Sequence, residues 1–249
     1  MLKLGYFGIL VLFSASVAAA EPLEIVTEIF PPYQTINHQT QEVTGIASEI
    51  VKTSFELANL DYAIKVLPWA RAYHTALYTK NTFIYSLLKT PARADKFHWL
   101  IPLCALKVKV YKHASRHDIQ IGTLEDLKKY RLGIARDNAT HDYLLAKGFS
   151  LNKNLILVNK AEQLQKMLAS QRIDLFIFAT PFVNTLKQLK PHAAQELTSI
   201  MTLTDLTRNL YLAANIHTQA KLLAQIKDSY HKNKEKINRQ CDINQELPD

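Results

Sequence analysis

The sequence predicts an α/β protein. Short β-rich runs alternate with stretches whose apolar residues recur at helical spacing along nearly the whole chain. The composition, 48% hydrophobic and 21% charged, is that of a packed chain rather than a disordered one. The 249 residues suffice for one large domain or for two lobes of roughly 100 residues each. No fixed-period repeat or low-complexity tract interrupts the pattern.

The first twenty residues stand apart. Met1-Leu2-Lys3 is a basic start, Leu4 to Val17 is almost wholly apolar, and Ala18-Ala19-Ala20 is a run of small residues before Glu21. This layout predicts a secretory signal peptide cleaved after Ala20, with a retained N-terminal anchor as the competing reading. Cleavage removes Lys3 as the only charged side chain, so the formal charge falls from +8 to +7.

The elements then follow in order. Leu23–Thr27 is a short strand, stopped where Phe30-Pro31-Pro32-Tyr33 forces an extended turn. Gly45 precedes Ile46, Ile50, Val51 and Phe55, one face of a helix. Ala63–Leu67 is a second strand, and Pro68-Trp69-Ala70-Arg71 opens a helix with Ala72, Ala76 and Leu77 on one side. Thr82–Leu88 is a third strand, followed by a Thr90-Pro91-Ala92-Arg93 turn. A new unit begins with the alternating strand Lys107–Tyr111. Thr123 and Asp126 have a spacing like that of a capping box and predict a helix start. Arg131–Ala135 is a buried strand, and Asn138-Ala139-Thr140 caps the next helix. Leu155–Val158 is a strand, Ala161, Leu164, Met167 and Leu168 mark an amphipathic helix, and Ile173–Phe178 is a very apolar strand. Asn209–Ala213 is the last strand, before a long helix from about Thr218 to Arg239.

Composition excludes several functions. Only Gly45, Gly122, Gly133 and Gly148 follow the leader, so neither a G-x-G-x-x-G fingerprint nor a G-x-x-x-x-G-K-[ST] loop can be written. Neither G-x-S-x-G nor H-E-x-x-H occurs. His113 and His117 have H-x-x-x-H spacing, but in a stretch that reads as a loop. The basic excess is spread out. Its densest group, Lys221 to Arg239, fits a solvated helix face, with an anionic lipid surface or an acidic partner as the sharper alternative; export speaks against nucleic acid. Two cysteines, Cys104 and Cys241, in an exported chain are candidates for one long-range disulfide or for two separately buried thiols.

The order of these motifs resembles family 3 extracellular solute-binding proteins, the periplasmic receptors of amino-acid-type ABC transporters. The likeness runs through Pro31-Pro32-Tyr33, Gly45 with Glu49-Ile50, Pro68-Trp69-Ala70-Arg71-Ala72, Thr90-Pro91-Ala92-Arg93 and Phe97–Leu103. It continues through Thr123–Leu127, Gly133–Arg136 and Met167-Leu168 before Arg172-Ile173-Asp174, covering residues 23–240. The resemblance implies a type II two-lobed periplasmic-binding-protein fold, two α/β lobes joined by a two-stranded hinge, with a small-molecule ligand in the cleft. The expected division is signal peptide 1–20, first lobe 21–105, second lobe 106–198, and a return to the first lobe over 199–249.

The resemblance also implies site residues. Arg93 occupies the place of an arginine that clamps a ligand carboxylate, with Thr90 as a nearby hydroxyl; the competing reading of Arg93 is a surface ion pair with Asp95 or a neighbour. Tyr33, Phe30 and Trp69 are candidate aromatic walls, and core packing explains each as well. Arg71 sits at a helix start facing the cleft or solvent. Arg136 and Thr140 flank a helix N-terminus that can hold a carboxylate, against ordinary capping by Asn138. The pattern departs from the family at two places: Leu88 replaces a Ser or Thr, and Ala179-Thr180-Pro181 stands where an Asp pairs with a ligand ammonium. Glu28, Asp137 and Asp142 are substitutes for that carboxylate. The implied function is capture of an amino acid, an amino-acid-like solute or an organic anion for an inner-membrane ABC permease, without a cofactor. A dehydratase on the same fold and a stand-alone sensing module are the alternatives.

Overall fold

A computed structural model describes residues 22–151, 153–160, 162–189 and 196–242. The expected signal peptide lies outside the described residues. Two five-stranded sheets organise the chain. In the first, β1 (Leu23–Thr27) runs parallel to both β4 (Tyr62–Val66) and β5 (Phe83–Leu88). β12 (Arg208–Asn215) returns antiparallel between β5 and β6 (Phe97–Leu106), which gives the order β4-β1-β5-β12-β6. A two-stranded ribbon of β2 (Thr35–Ile36) and β3 (Val43–Thr44) lies beside it.

In the second sheet, β10 (Leu175–Ala179), β8 (Leu132–Ala135) and β9 (Leu155–Val158) are parallel. β7 (Val108–His113) and β11 (Leu197–Thr202) complete the order β11-β7-β10-β8-β9 with antiparallel pairs. Central strands of both sheets are near-continuous apolar runs because both faces are covered. β11 belongs to the second sheet, so the chain stays with that sheet to Thr202 and rejoins the first at Arg208 rather than at 199.

Helices cover the sheets where the spacing predicts them. α1 (Ile46–Leu57) buries Ile50, Val51 and Phe55, and α2 (Trp69–Tyr78) buries Trp69, Ala72 and Ala76. α1 starts without a side-chain cap. Instead the Pro32 and Tyr33 carbonyls accept from Ile46 N at 3.3 Å and Ala47 N at 2.9 Å. Gly45 makes this approach possible, because its φ is +111° and a Cβ there would lie 2.7 Å from the Tyr33 oxygen. α3 (Ala139–Ala146), α4 (Glu162–Ala169) and α5 (Thr180–Leu189) serve the second sheet, and α6 (Ala220–Asp242) returns along the first. α6 packs Ile226 and Tyr230 inward while Lys221, Lys227, Lys232 and Lys234 face solvent.

The helix expected from Thr123 is a single 3-10 turn, Glu125–Lys129. Asp126 Oδ2 reaches back to accept from Thr123 N and Gly122 N, while the Thr123 hydroxyl donates to the same oxygen and so caps nothing. Among the described residues the chain passes between sheets twice. The first passage is one residue, Lys107, between β6 and β7; the second is Leu203–Thr207, between β11 and β12. Thr180 N donates to Lys107 O and Leu203 N to Val108 O, both at 2.8 Å, so the two passages are tied to the second lobe beside each other.

Candidate functional site

Where the two lobes face each other, the carboxyl ends of β1, β5, β8 and β10 converge on a cavity of about 70 Å³. From the first lobe it is lined by Glu28, Phe30, Trp69, Ser86, Leu88 and Arg93. From the second come Ala135, Asn138, Thr140, Phe178 and Ala179. The space is well below the ~300 Å³ of ordinary small-molecule pockets, because side chains of the two lobes already meet across it.

Arg93 dominates that meeting. The 3-10 turn Pro91–Arg93 carries it off the end of β5, and the side chain is 1% exposed. Its Nε and Nη2 donate to Asp142 Oδ2 at 3.0 and 2.8 Å, and Nη2 donates also to the Asp137 carbonyl at 2.8 Å. Its guanidinium carbon lies 4.7 Å from the Tyr73 ring centroid. Nη1 is buried with no hydrogen-bond partner. The partner is therefore Asp142, on α3 of the opposite lobe, and not Asp95, which is exposed.

Trp69 sits at the start of α2 and donates Nε1 to the Asp137 carbonyl at 2.8 Å. Asp137 has φ +56°, a left-handed turn before α3 that goes with its carbonyl being within reach of the first lobe. Its carboxylate lies 3.7 Å from His74 of the first lobe and 4.0 Å from His141. Phe30 packs against Phe178 and Phe182 across the cleft at centroid distances of 5.8 and 6.1 Å. The wall behind Arg93 is bent: Ser86 has φ +59° within β5, where the pairing with β12 slips between Tyr211 and Ala213. The Ser86 hydroxyl donates to Gln34 Oε1 at 2.7 Å.

The sequence-predicted residues separate into two groups. The structure brings Arg93, Trp69, Thr140, Phe30 and Glu28 to the cavity. Tyr33 is not a wall: it is core, its hydroxyl donates to Ala105 O at 2.9 Å, and burial raises its pKa above the usual tyrosine range. Arg71 and Arg136 are exposed and line no part of the cavity. Thr90 lies beside the cavity in an outer groove; its carbonyl accepts from Arg93 N, and its hydroxyl is buried without a partner. Asn138 caps α3 through its side chain, accepting from His141 N at 2.8 Å. Ala179 lines the cavity, so the end of β10 supplies no carboxylate.

Elsewhere, Asp174 is held within the second lobe by Arg131 and Arg116. Burial pushes its pKa up, but the hydrogen bonds from Arg131 and Arg116 outweigh that and hold it well below the usual carboxylate range. His113 pairs with Glu196 and Ser115, and no group of three His, Cys, Asp or Glu gathers among the described residues. Cys104 is disulfide-bonded; the side chain of the other cysteine, Cys241, lies outside the described residues.

Sequence reasoning missed Ser86, Phe178 and Phe182 as cleft residues. Phe178 and Phe182 carry one usable signal, aromatics straddling the carboxyl end of a very apolar strand.

No protein-family model matches the sequence, and no curated protein matches it. Solved structures do match in shape. An ancestral arginine-binding protein bound to arginine superposes with a TM-score of 0.76 at 14% identity, over 89% of this chain and 97% of that one. The arginine-, lysine-, histidine-binding protein ArtJ of Geobacillus stearothermophilus gives 0.73 at 14% identity, over 88% and 93%. A histidine kinase sensor domain with similarity to periplasmic binding proteins gives 0.73 at 17% identity, over 87% and 91%. The chain has the two-lobed periplasmic-binding-protein fold, two α/β lobes joined by two crossings.

Proposed function

We propose that the protein is a periplasmic solute-binding receptor of the family 3 type. It captures a small polar solute, an amino acid, an amino-acid-like molecule or an organic anion, between the lobes and presents it to an inner-membrane ABC permease. The observation that carries this reading is Arg93: a guanidinium 1% exposed, lining the interlobe cavity, with Nη1 unpartnered. A buried cation with an unused donor is suited to a carboxylate. Ser86 and Thr140 add hydroxyls, Phe30 and Trp69 add flat apolar walls, and Glu28 adds an acid. Similar structures whose names state arginine, glutamine or basic amino acids as ligands support a solute of this size. The lining supplies contacts for binding and orientation, which favours a receptor over an enzyme.

The cavity requires the lobes to part before a solute enters, a hinge motion that the two crossings permit. The test is a thermal-shift screen of the chain from Glu21 onward against amino acids and organic acids. At least one solute raises the melting temperature, and Arg93→Ala abolishes the rise. No shift with any member of a broad panel overturns the reading. The basic leader and apolar run predict export, checked by the N-terminal residue of protein recovered from the periplasm, expected to be Glu21.

A further inference from the structure

The closed lobes leave more room beside the cleft than inside it. Next to the cavity of about 70 Å³ lies an outer groove of about 320 Å³, within the range of ordinary small-molecule sites. Three parts of the chain meet there. Pro91 and Ala92 come from the first lobe, Tyr143 and Ala146 from α3 of the second, and Asp205 and Leu206 from the second crossing. Leu88 and Leu206 are buried against it, whereas Pro91, Ala92 and Ala146 stay exposed. Apolar surface left open in a concave place is a binding feature rather than a packing one.

The charges around the groove are unevenly committed. Asp142 Oδ2 accepts both bonds from Arg93, at 3.0 and 2.8 Å. Asp205 Oδ2 accepts from the Tyr143 hydroxyl at 3.1 Å and lies 4.0 Å from Lys147 Nζ. Both acids therefore have partners. Two cations lack a carboxylate among the described residues. Lys89 meets the Trp99 ring, 5.5 Å from its centroid, and Arg208 donates Nε to the Asp205 carbonyl at 3.0 Å, with no bond from its terminal nitrogens. The pairing of Leu210 with Leu88 brings Arg208 and Lys89 to the same end of β5 and β12. Both also line an adjoining hollow of about 470 Å³ that runs on to Tyr211. The uncommitted charge is thus positive, and it borders an apolar wall.

We propose that this groove is a second ligand site, for an organic acid with an apolar tail: the tail lies against Pro91, Ala92 and Ala146, and the carboxylate meets Lys89 and Arg208. A ligand there touches both lobes and a crossing at once, so it favours the closed arrangement over any in which the lobes part. The site stands whatever solute the cleft holds.

The experiment uses the mature chain from Glu21 and phenylbutyrate as the probe. Acetate, which has the charge without the tail, and phenylbutanol, which has the tail without the charge, are the controls. Calorimetric titration reads affinity, and nuclear Overhauser contacts from the probe's ring to labelled alanine methyls read position. Phenylbutyrate binds at least about tenfold more tightly than either control, the worth of one charge-assisted contact or of an equal loss of apolar burial. Its ring contacts the methyls of both Ala92 and Ala146. Arg208→Glu weakens binding about tenfold or more, and Ala146→Trp, which fills the groove, abolishes it. Both positions are exposed, and wild-type circular dichroism and melting temperature are required of each variant.

Contacts to Ala135, Ala139 or Ala179 instead put the probe in the inner cavity and overturn the proposal. Contacts to Ala92 or Ala146 alone overturn the bridging of the lobes. Phenylbutanol binding as tightly as the acid, or full affinity in Arg208→Glu, overturns the choice of an anion. No binding of phenylbutyrate at millimolar concentration overturns the site.

Discussion

Trp69 in the first lobe donates its indole N–H to the backbone carbonyl of Asp137 in the second, at 2.8 Å. Arg93 Nη2 donates to the same oxygen at the same distance. A single carbonyl thus collects two bonds from the facing lobe, and the left-handed turn at Asp137 is what places it there.

Trp69→Phe removes one of those bonds and keeps an aromatic wall. The expected cost is about 1 kcal/mol, or ~2–4 °C in melting temperature for a chain of this size. The lobes separate more readily, so the radius of gyration in solution scattering rises above that of the wild type. An unchanged melt and an unchanged radius contradict the contact.

Asp174→Asn leaves Arg131 without its carboxylate and Arg116 with Asp118 alone, and is expected to cost about 2–3 kcal/mol at neutral pH. The folded pKa of Asp174 is depressed. Its contribution is therefore fully present above the unfolded carboxylate range and is lost progressively as pH falls from about 4 down through the depressed folded value. Urea unfolding at pH 7 and pH 3 checks the sign: the gap between variant and wild type narrows on acidification. A gap that widens at pH 3 rules the account out.

Gly45→Ala places a Cβ 2.7 Å from the Tyr33 oxygen and 2.9 Å from that of Pro32, at a φ of +111°. Both neighbours are backbone, and both cap α1, so neither moves aside freely. A loss of about 2 kcal/mol or more is expected from backbone strain, read from chemical denaturation. A variant as stable as the wild type contradicts the close approach.

Cys104 is disulfide-bonded, and we propose Cys241 as its partner. Denatured, unreduced protein is expected to show no free thiol, and peptide mapping to recover one linked pair. One or two titratable thiols per chain in protein from the periplasm refute the pairing.

Much of the fold was legible because its strands are uninterrupted apolar runs. Leu155–Val158 is a strand with the bounds its residues predict. β6 carries Pro102, which departs from a strand pattern; it lies at the edge of the first sheet, where a missing N–H is tolerated. α5 begins at Thr180-Pro181, residues that register in the sequence only as a departure from an expected acid. In the site, the Thr-x-x-Arg spacing marks Arg93 but carries no trace of its partner. Asp142 lies 49 positions away in the other lobe, and pairing across lobes follows from tertiary closure, which no local pattern encodes. Tyr33 misled because an aromatic after two prolines suits a wall and a core equally; only the Ala105 carbonyl decides it.

The one-residue link at Lys107 has a mechanical meaning. With a second crossing pinned beside it through Val108, the lobes keep little freedom to slide or twist, and what remains is rotation about the line through the two links. Opening is then a single angle, and one spectroscopic ruler from α2 to α4 reads it completely.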